Sequence, residues 1–146
     1  MMSESKKGSR RKGRQKAFQC LYGFDFASGG RRGDLMRSFR HFVESDESVT
    51  ELERTFALEL VTGVMDQREE IDSVITTHSR HWRLERIAKV ELAILRIAVY
   101  EMVYRPDIPP KVSINEAVEL SKSFGDENSR SFINGILDAV ARSVQG

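Results

Sequence analysis

The sequence predicts an all-α protein. Three observations carry that prediction. Apolar residues recur at helical spacing from Phe18 onward, the segment from Ile87 to Tyr104 is apolar nearly all round, and no stretch alternates apolar and polar residues between turns as a strand does. About seven helices are expected, forming two small packed bundles around the apolar segment. With 146 residues the chain buries about 70% of its unfolded surface, so it needs neither disulfide nor metal to fold.

Taken in order, residues 1–9 are polar and aperiodic and read as a disordered tail. The first helix starts inside the basic segment at Arg10, with Phe18, Leu21 and Tyr22 on one face; Gly13 weakens that start and leaves the arm partly frayed until a ligand orders it. Ser28-Gly29-Gly30 ends it, and Gly33-Asp34 opens a short second helix to about Glu44. After the polar loop from Ser45 to Val49, Thr50-Glu51-Leu52-Glu53 has the capping-box pattern. Phe56, Leu60, Val61 and Val64 follow as one stripe and Ile71, Val74, Ile75 and His78 as another, with a bend or break expected at Gly63 or along Asp66 to Glu70. Only Lys89, Glu91, Arg96 and Glu101 interrupt the apolar segment, so it reads as a central post buried on all sides. Arg105-Pro106 ends it and Pro109-Pro110 keeps the connection extended. Ser113 to Glu116 repeats the capping-box pattern, ahead of a face made by Ile114, Ala117, Val118, Ser121 and Phe124, and Gly125 suits a left-handed C-cap. The last helix begins near Asn128 with Ile133, Leu137, Val140 and Val144 inward, and Gly135 suggests a close backbone approach. The expected division is a tail (1–9) and one helical domain (10–146), with subdomains of about 10–80 and 81–146.

Composition removes several classes. Ten Gly and three Pro exclude collagen-like and low-complexity chains. The single Cys20 cannot form an internal disulfide, which fits a reducing compartment. No apolar run reaches the roughly 18 residues of a membrane span, and the basic N-terminus lacks an apolar signal core, which points to the cytoplasm. The net charge of +1 hides an asymmetry: residues 1–16 hold seven Lys/Arg against Glu4 alone, and the rest holds 16 bases and 21 acids. Such arms meet phosphate, although solvated tails share the composition.

No catalytic centre is expected. Cys20 has no nucleophile signature around it, His41, His78 and His81 lack thiol partners for zinc, and phosphate-loop and dinucleotide fingerprints are absent. No metal and no cofactor is implied. Three of the arm's cations are arginines, whose guanidinium forks suit phosphate in paired hydrogen bonds and stack on bases, as lysine does not. Phe132 lies roughly 100° off the buried line of the last helix, with Asn128 one turn earlier, so it reads either as a base-stacking platform or as peripheral core. Tyr22 has the same two readings, and Trp82 is either a partner anchor or an inter-helix plug.

These segments together resemble the NusB family of bacterial transcription antitermination factors. The resemblance is carried by Arg10-Arg11-Lys12-Gly13-Arg14 leading into Ala17-Phe18-Gln19-Cys20-Leu21-Tyr22, by Trp82 to Ile87 ahead of Ala93 to Glu101, by Val112 to Leu120 with Ser123-Phe124-Gly125, and by Phe132-Ile133-Asn134-Gly135-Ile136-Leu137-Asp138. It covers roughly residues 10 to 145. It implies a two-bundle helical fold and a non-enzymatic factor that binds boxA single-stranded RNA with NusE, a small-subunit ribosomal protein. It implies further assembly with NusA, NusG and RNA polymerase, notably on ribosomal RNA operons. Residue by residue, it implies RNA contacts at Arg10, Arg11, Lys12, Arg14, Tyr22 and Phe132, with Asn128 standing where the family often has an acid and His78 where it has a tyrosine; Lys16 joins the candidate RNA contacts as a further cation of the arm. The NusE-facing surface would involve Trp82, Glu85 and Glu91. NusB-like domains also occur ahead of methyltransferase domains; eight residues after Asp138 leave no room for one here, so a stand-alone factor is expected. Monomer and homodimer are both compatible with the sequence. A protein–protein adaptor with only nonspecific RNA affinity is the alternative, and a duplex-DNA regulator is disfavoured because the last helix holds only Arg130 and Arg142 as bases.

Overall fold

Helices are the regular elements throughout the computed structural model, which describes residues 2–27, 32–79 and 83–145. Among these residues are seven α-helices and no strand. They are α1 (Met2–Ala27), α2 (Arg32–Phe39), α3 (Glu51–Asp66), α4 (Arg68–His78), α5 (Lys89–Tyr104), α6 (Pro110–Phe124) and α7 (Glu127–Gln145). A π-helical turn (Arg40–Glu44) continues α2, and a 3-10 turn (Leu84–Arg86) precedes α5. The glycine stop at 28–30, His81 and Trp82 lie outside the described residues.

The chain divides into two units, 1–62 and 63–146. The sequence reading put the division near residue 80. It falls earlier because α4 packs on α5 and α7 and so belongs with them.

In the first unit α1 packs against α2 and the π-helical turn. Ala17, Phe18, Cys20, Leu21 and Phe24 of α1 are buried with Leu35, Phe39 and Val43. Helix α1 runs back to Met2, where the sequence reading placed a disordered tail. Its basic stretch consists of straight-chain residues with good helix propensity, and Gly13 does not fray it. That glycine lets α1 approach α3: an added Cβ would lie 3.0 Å from the Phe56 ring and 3.2 Å from the Glu53 carbonyl oxygen. The Thr50 capping box closes as expected, with Thr50 N–H donating to Glu53 Oε1 (2.8 Å) and Glu53 N–H donating to Thr50 Oγ1 (3.2 Å).

The second unit is arranged around α5, whose residues Leu92 to Val99 are all buried. α4, α6 and α7 pack against it. Two charges lie inside this post. Arg96 meets Asp72 of α4 through both carboxylate oxygens (Nε–Oδ1 2.8 Å, Nη2–Oδ2 3.0 Å), and Glu101 accepts a hydrogen bond from Ser113 Oγ of α6 at 3.0 Å.

That last bond corrects the expected start of α6. The helix opens at Pro110, with Pro109 extended before it, so Ser113 sits inside the helix and caps nothing. Proline at the first helical position has the required φ and lacks only an N–H that would be unpaired anyway. The buried face shifts accordingly to Ser113, Glu116, Ala117, Leu120 and Ser121. Gly125 is extended (φ −117°, ψ −159°), not left-handed, because the chain turns directly into the cap of α7. Asp126 Oδ1 accepts the Ser129 N–H at 2.9 Å there. Along α7 the inner line is Ile133, Ile136, Leu137 and Val140, and Val144 is exposed.

The two helical glycines read as special act oppositely to expectation. α3 passes through Gly63 unbroken and separates from α4 only at Gln67. Gly63 makes room for Tyr100, whose ring a Cβ would strike. Around Gly135 nothing lies within 4 Å of an added Cβ, so no close approach exists among the described residues. Gly63→Ala is therefore expected to destabilise the protein by about 1–3 kcal/mol through overpacking. Gly135→Ala should stabilise it by up to about 1 kcal/mol through helix propensity. Urea unfolding of the two variants beside the parent checks both signs.

Candidate nucleic-acid interface

The basic arm is an ordered stretch of α1 facing the loop before α3 and the first turns of α3. Its arginines and lysines are held in different ways. The guanidinium carbons of Arg10 and Arg14 lie 5.7 and 5.4 Å from the centroid of the Phe56 ring, within cation–π range. Arg14 is only 3% exposed. Its guanidinium lies against Phe56 beneath the surface, unlike that of the expected RNA contact Arg11. Arg11 is exposed and Arg10 half-buried.

The lysines meet polar groups of the loop. Lys12 Nζ donates to the Ser48 carbonyl oxygen (3.0 Å) and Oγ (3.3 Å), with Glu53 Oε1 at 4.0 Å. Lys16 Nζ donates to Asp46 Oδ2 at 2.7 Å. The other Asp46 oxygen accepts the Ser48 N–H (2.9 Å) and Oγ–H (2.6 Å). The Lys16 hydrogen bond, followed by those from Ser48, holds the Asp46 carboxyl well below the usual carboxylate range. Sequence reasoning left Asp46, Ser48, Glu53 and Phe56 out of the candidate set. The available signal was the i, i+4 spacing of Lys12 and Lys16, with Asp46 and Glu47 as the acids of the loop before α3.

Tyr22 is half-buried two turns further along α1, its ring stacked on Phe18 at 5.5 Å between centroids with 13° between planes. The remaining candidates lie in the second unit. His78 ends α4, half-buried, with Nδ1 2.8 Å from the Val74 carbonyl oxygen. On the first turns of α7, Asn128 is exposed and Phe132 half-buried. Helices α4 and α7 pack together. Glu85 is exposed on the 3-10 turn. Glu91 is occupied within the fold: its Oε2 accepts a hydrogen bond from Ser129 Oγ at 2.8 Å, tying the start of α7 to the start of α5. Trp82 lies outside the described residues.

Cys20 is buried with Sγ 3.9 Å from the Leu35 carbonyl oxygen, and burial pushes its thiol up to about 11. Among the described residues no three His, Cys, Asp or Glu side chains are grouped to hold a metal ion, and no helix is long and apolar enough to cross a membrane.

Comparison with known proteins finds relatives that match over nearly the whole chain. The NusB family model matches residues 11–142. A transcription antitermination protein NusB from Nitratidesulfovibrio vulgaris is 49% identical over 139 residues, covering 94% of this chain and 91% of that protein. One from Myxococcus xanthus is 46% identical over 134 residues, covering 92% and 95%. Among solved structures, T. maritima NusB aligns with a TM-score of 0.82 at 32% identity, covering 91% of this chain and 90% of that one. A chain in a structure of antitermination factors NusB and NusE in complex with dsRNA aligns with a TM-score of 0.80 at 30% identity, covering 92% and 97%.

The Lys16–Asp46 contact has a pH signature. Asp46 titrates lower in the folded protein than in the unfolded chain, where aspartate has a pKa near 3.9. The stabilisation it contributes is therefore complete above about pH 5, shrinks as pH falls through the unfolded value and is gone once pH is below the depressed folded value. Replacing Lys16 with Met should move the Asp46 carboxyl back up toward the ordinary range. A carboxyl-carbon NMR titration of parent and variant reads this directly.

Proposed function

Because the chain belongs to the NusB family, we propose that it is a non-enzymatic transcription antitermination factor that binds boxA single-stranded RNA together with NusE. In this reading the pair joins NusA, NusG and RNA polymerase in a complex that suppresses termination, notably on ribosomal RNA operons. The observation that carries the reading is the 49% identity to a transcription antitermination protein over 94% of the chain. A structural relative in complex with NusE and dsRNA supports the class of partner.

The residues supply a mechanism. Arg10, Arg11, Lys12 and Lys16 give sequence-tolerant attraction to phosphates, with Arg14 adding its charge from below. Tyr22 and Phe132 offer ring faces to bases, and exposed Asn128 offers both a donor and an acceptor to a base edge. His78 can still stack where the family carries tyrosine. NusE would add RNA contacts of its own, with Glu85 the one proposed partner contact that is exposed among the described residues. A second reading, an adaptor with only nonspecific RNA affinity, draws on the internal pairing of Lys12 and Lys16, which lowers the charge the arm shows to solvent.

The test is a titration of boxA-type single-stranded RNA, a scrambled strand and an RNA duplex, each with and without NusE. Specific single-strand binding strengthened by NusE is expected. Four arm cations each neutralising one phosphate give a slope of about −3 in log K against log salt. Phe132→Ala should weaken boxA binding by about 1–3 kcal/mol while circular dichroism stays unchanged. Equal, purely salt-dependent binding of boxA and scrambled strands would replace this reading with the adaptor.

A further inference from the structure

The arm in the free protein already holds anions. Lys16 is hydrogen-bonded to a carboxylate, and Lys12 is bonded to the same loop with a second carboxylate at 4.0 Å. The loop presents Asp46 in a fixed pose, since one oxygen is committed to the Ser48 N–H and Oγ–H while the other faces Lys16. Backbone bonds fix the loop itself: Ser45 N–H to the Arg40 carbonyl (2.9 Å) and Val49 N–H to the Asp46 carbonyl (3.1 Å), with Val49 buried beneath. A carboxylate aimed at a lysine in this way offers it a charged oxygen acceptor, the same chemistry that a phosphate oxygen offers.

We propose that the Asp46 loop is a built-in phosphate mimic, an autoinhibitory latch that occupies Lys16 in the free protein and is displaced there by RNA phosphate. The proposal rests on the reading above that the arm meets RNA. Its logic is competition. A ligand that must break an internal contact binds more weakly by the strength of that contact. The pair is half-buried at the protein surface; an ion pair so placed is a small obstacle, equivalent to a factor of about two to five in affinity, so the latch tunes binding without preventing it. Asp46 stays ionised throughout the neutral range, so the latch does not open with pH; a competing polyanion opens it, and salt weakens it.

The experiment is a double-mutant cycle on the full chain with NusE, read as affinity for the same single-stranded RNA. Asp46→Asn is expected to raise affinity about two- to fivefold at low salt, with parent and variant converging at high salt. Lys16→Met should abolish that gain, so that the double variant binds as Lys16→Met alone. Affinity unchanged or lowered by Asp46→Asn overturns the latch while leaving the RNA-binding reading intact. A gain of equal size in the Lys16→Met background also overturns it, since Asp46 would then act only as diffuse negative charge. Failure of both parent and Asp46→Asn variant to bind overturns latch and RNA reading together.

Discussion

Helix α5 has no solvent side along its middle, and the rest of the second unit answers to that. A helix apolar all round needs cover on every flank, which α4, α6 and α7 supply. Cover alone leaves the helices free to slide and rotate, because apolar contact is nondirectional. The two charges on α5 fix them. Arg96 binds Asp72 with a two-pronged geometry that sets the position of α4, and Glu101 takes the Ser113 hydroxyl and so sets α6. The pairing of Glu91 with Ser129 does the same for α7. Isolated charges at these depths would cost several kcal/mol each, so each demands its partner and each partner lies on a different helix. The start of α7, which carries Asn128 and Phe132, inherits its position from this set of bonds.

In the first unit the organising surface is one aromatic ring. Phe56 receives two guanidinium groups, and Gly13 brings the α1 backbone within reach of it. Arginine suits this place because its planar, weakly hydrated cation can lie on a ring, whereas lysine keeps its ammonium hydrated or hydrogen-bonded. Along this stretch Arg10 and Arg14 lie over Phe56 while Lys12 and Lys16 reach the loop. A segment that by composition resembles a solvated tail is thereby an ordered helix.

Much of this was legible in the sequence where one local rule sufficed. The capping box at Thr50, the continuous burial of Leu92 to Val99 and the break near Gln67 each follow from propensity or periodicity over a few residues. The failures are places where a distant residue decides. Ser113 has the capping pattern, but Pro110 starts the helix first and Glu101 claims the hydroxyl. Gly13 and Gly63 look like helix weakeners until Phe56 and Tyr100 are set against them. The unit boundary depends on which neighbours α4 chooses. In the candidate interface, the chain order showed the cations and aromatics but not which cations are already engaged. The partners of Lys12 and Lys16 lie about 30 residues away in sequence.

The buried thiol makes the molecule its own reporter. Cys20 is the sole cysteine, and with a pKa near 11 roughly one in ten thousand of its sulfurs is thiolate at neutral pH, the form that reacts. Its sulfur lies against the Leu35 carbonyl, sealed between α1 and α2. Alkylating reagents can reach it only when those helices part. The rate of thiol modification therefore measures how often the helix bearing the arm opens, with no label introduced, and a cysteine placed on the surface for other purposes would react against an almost silent background.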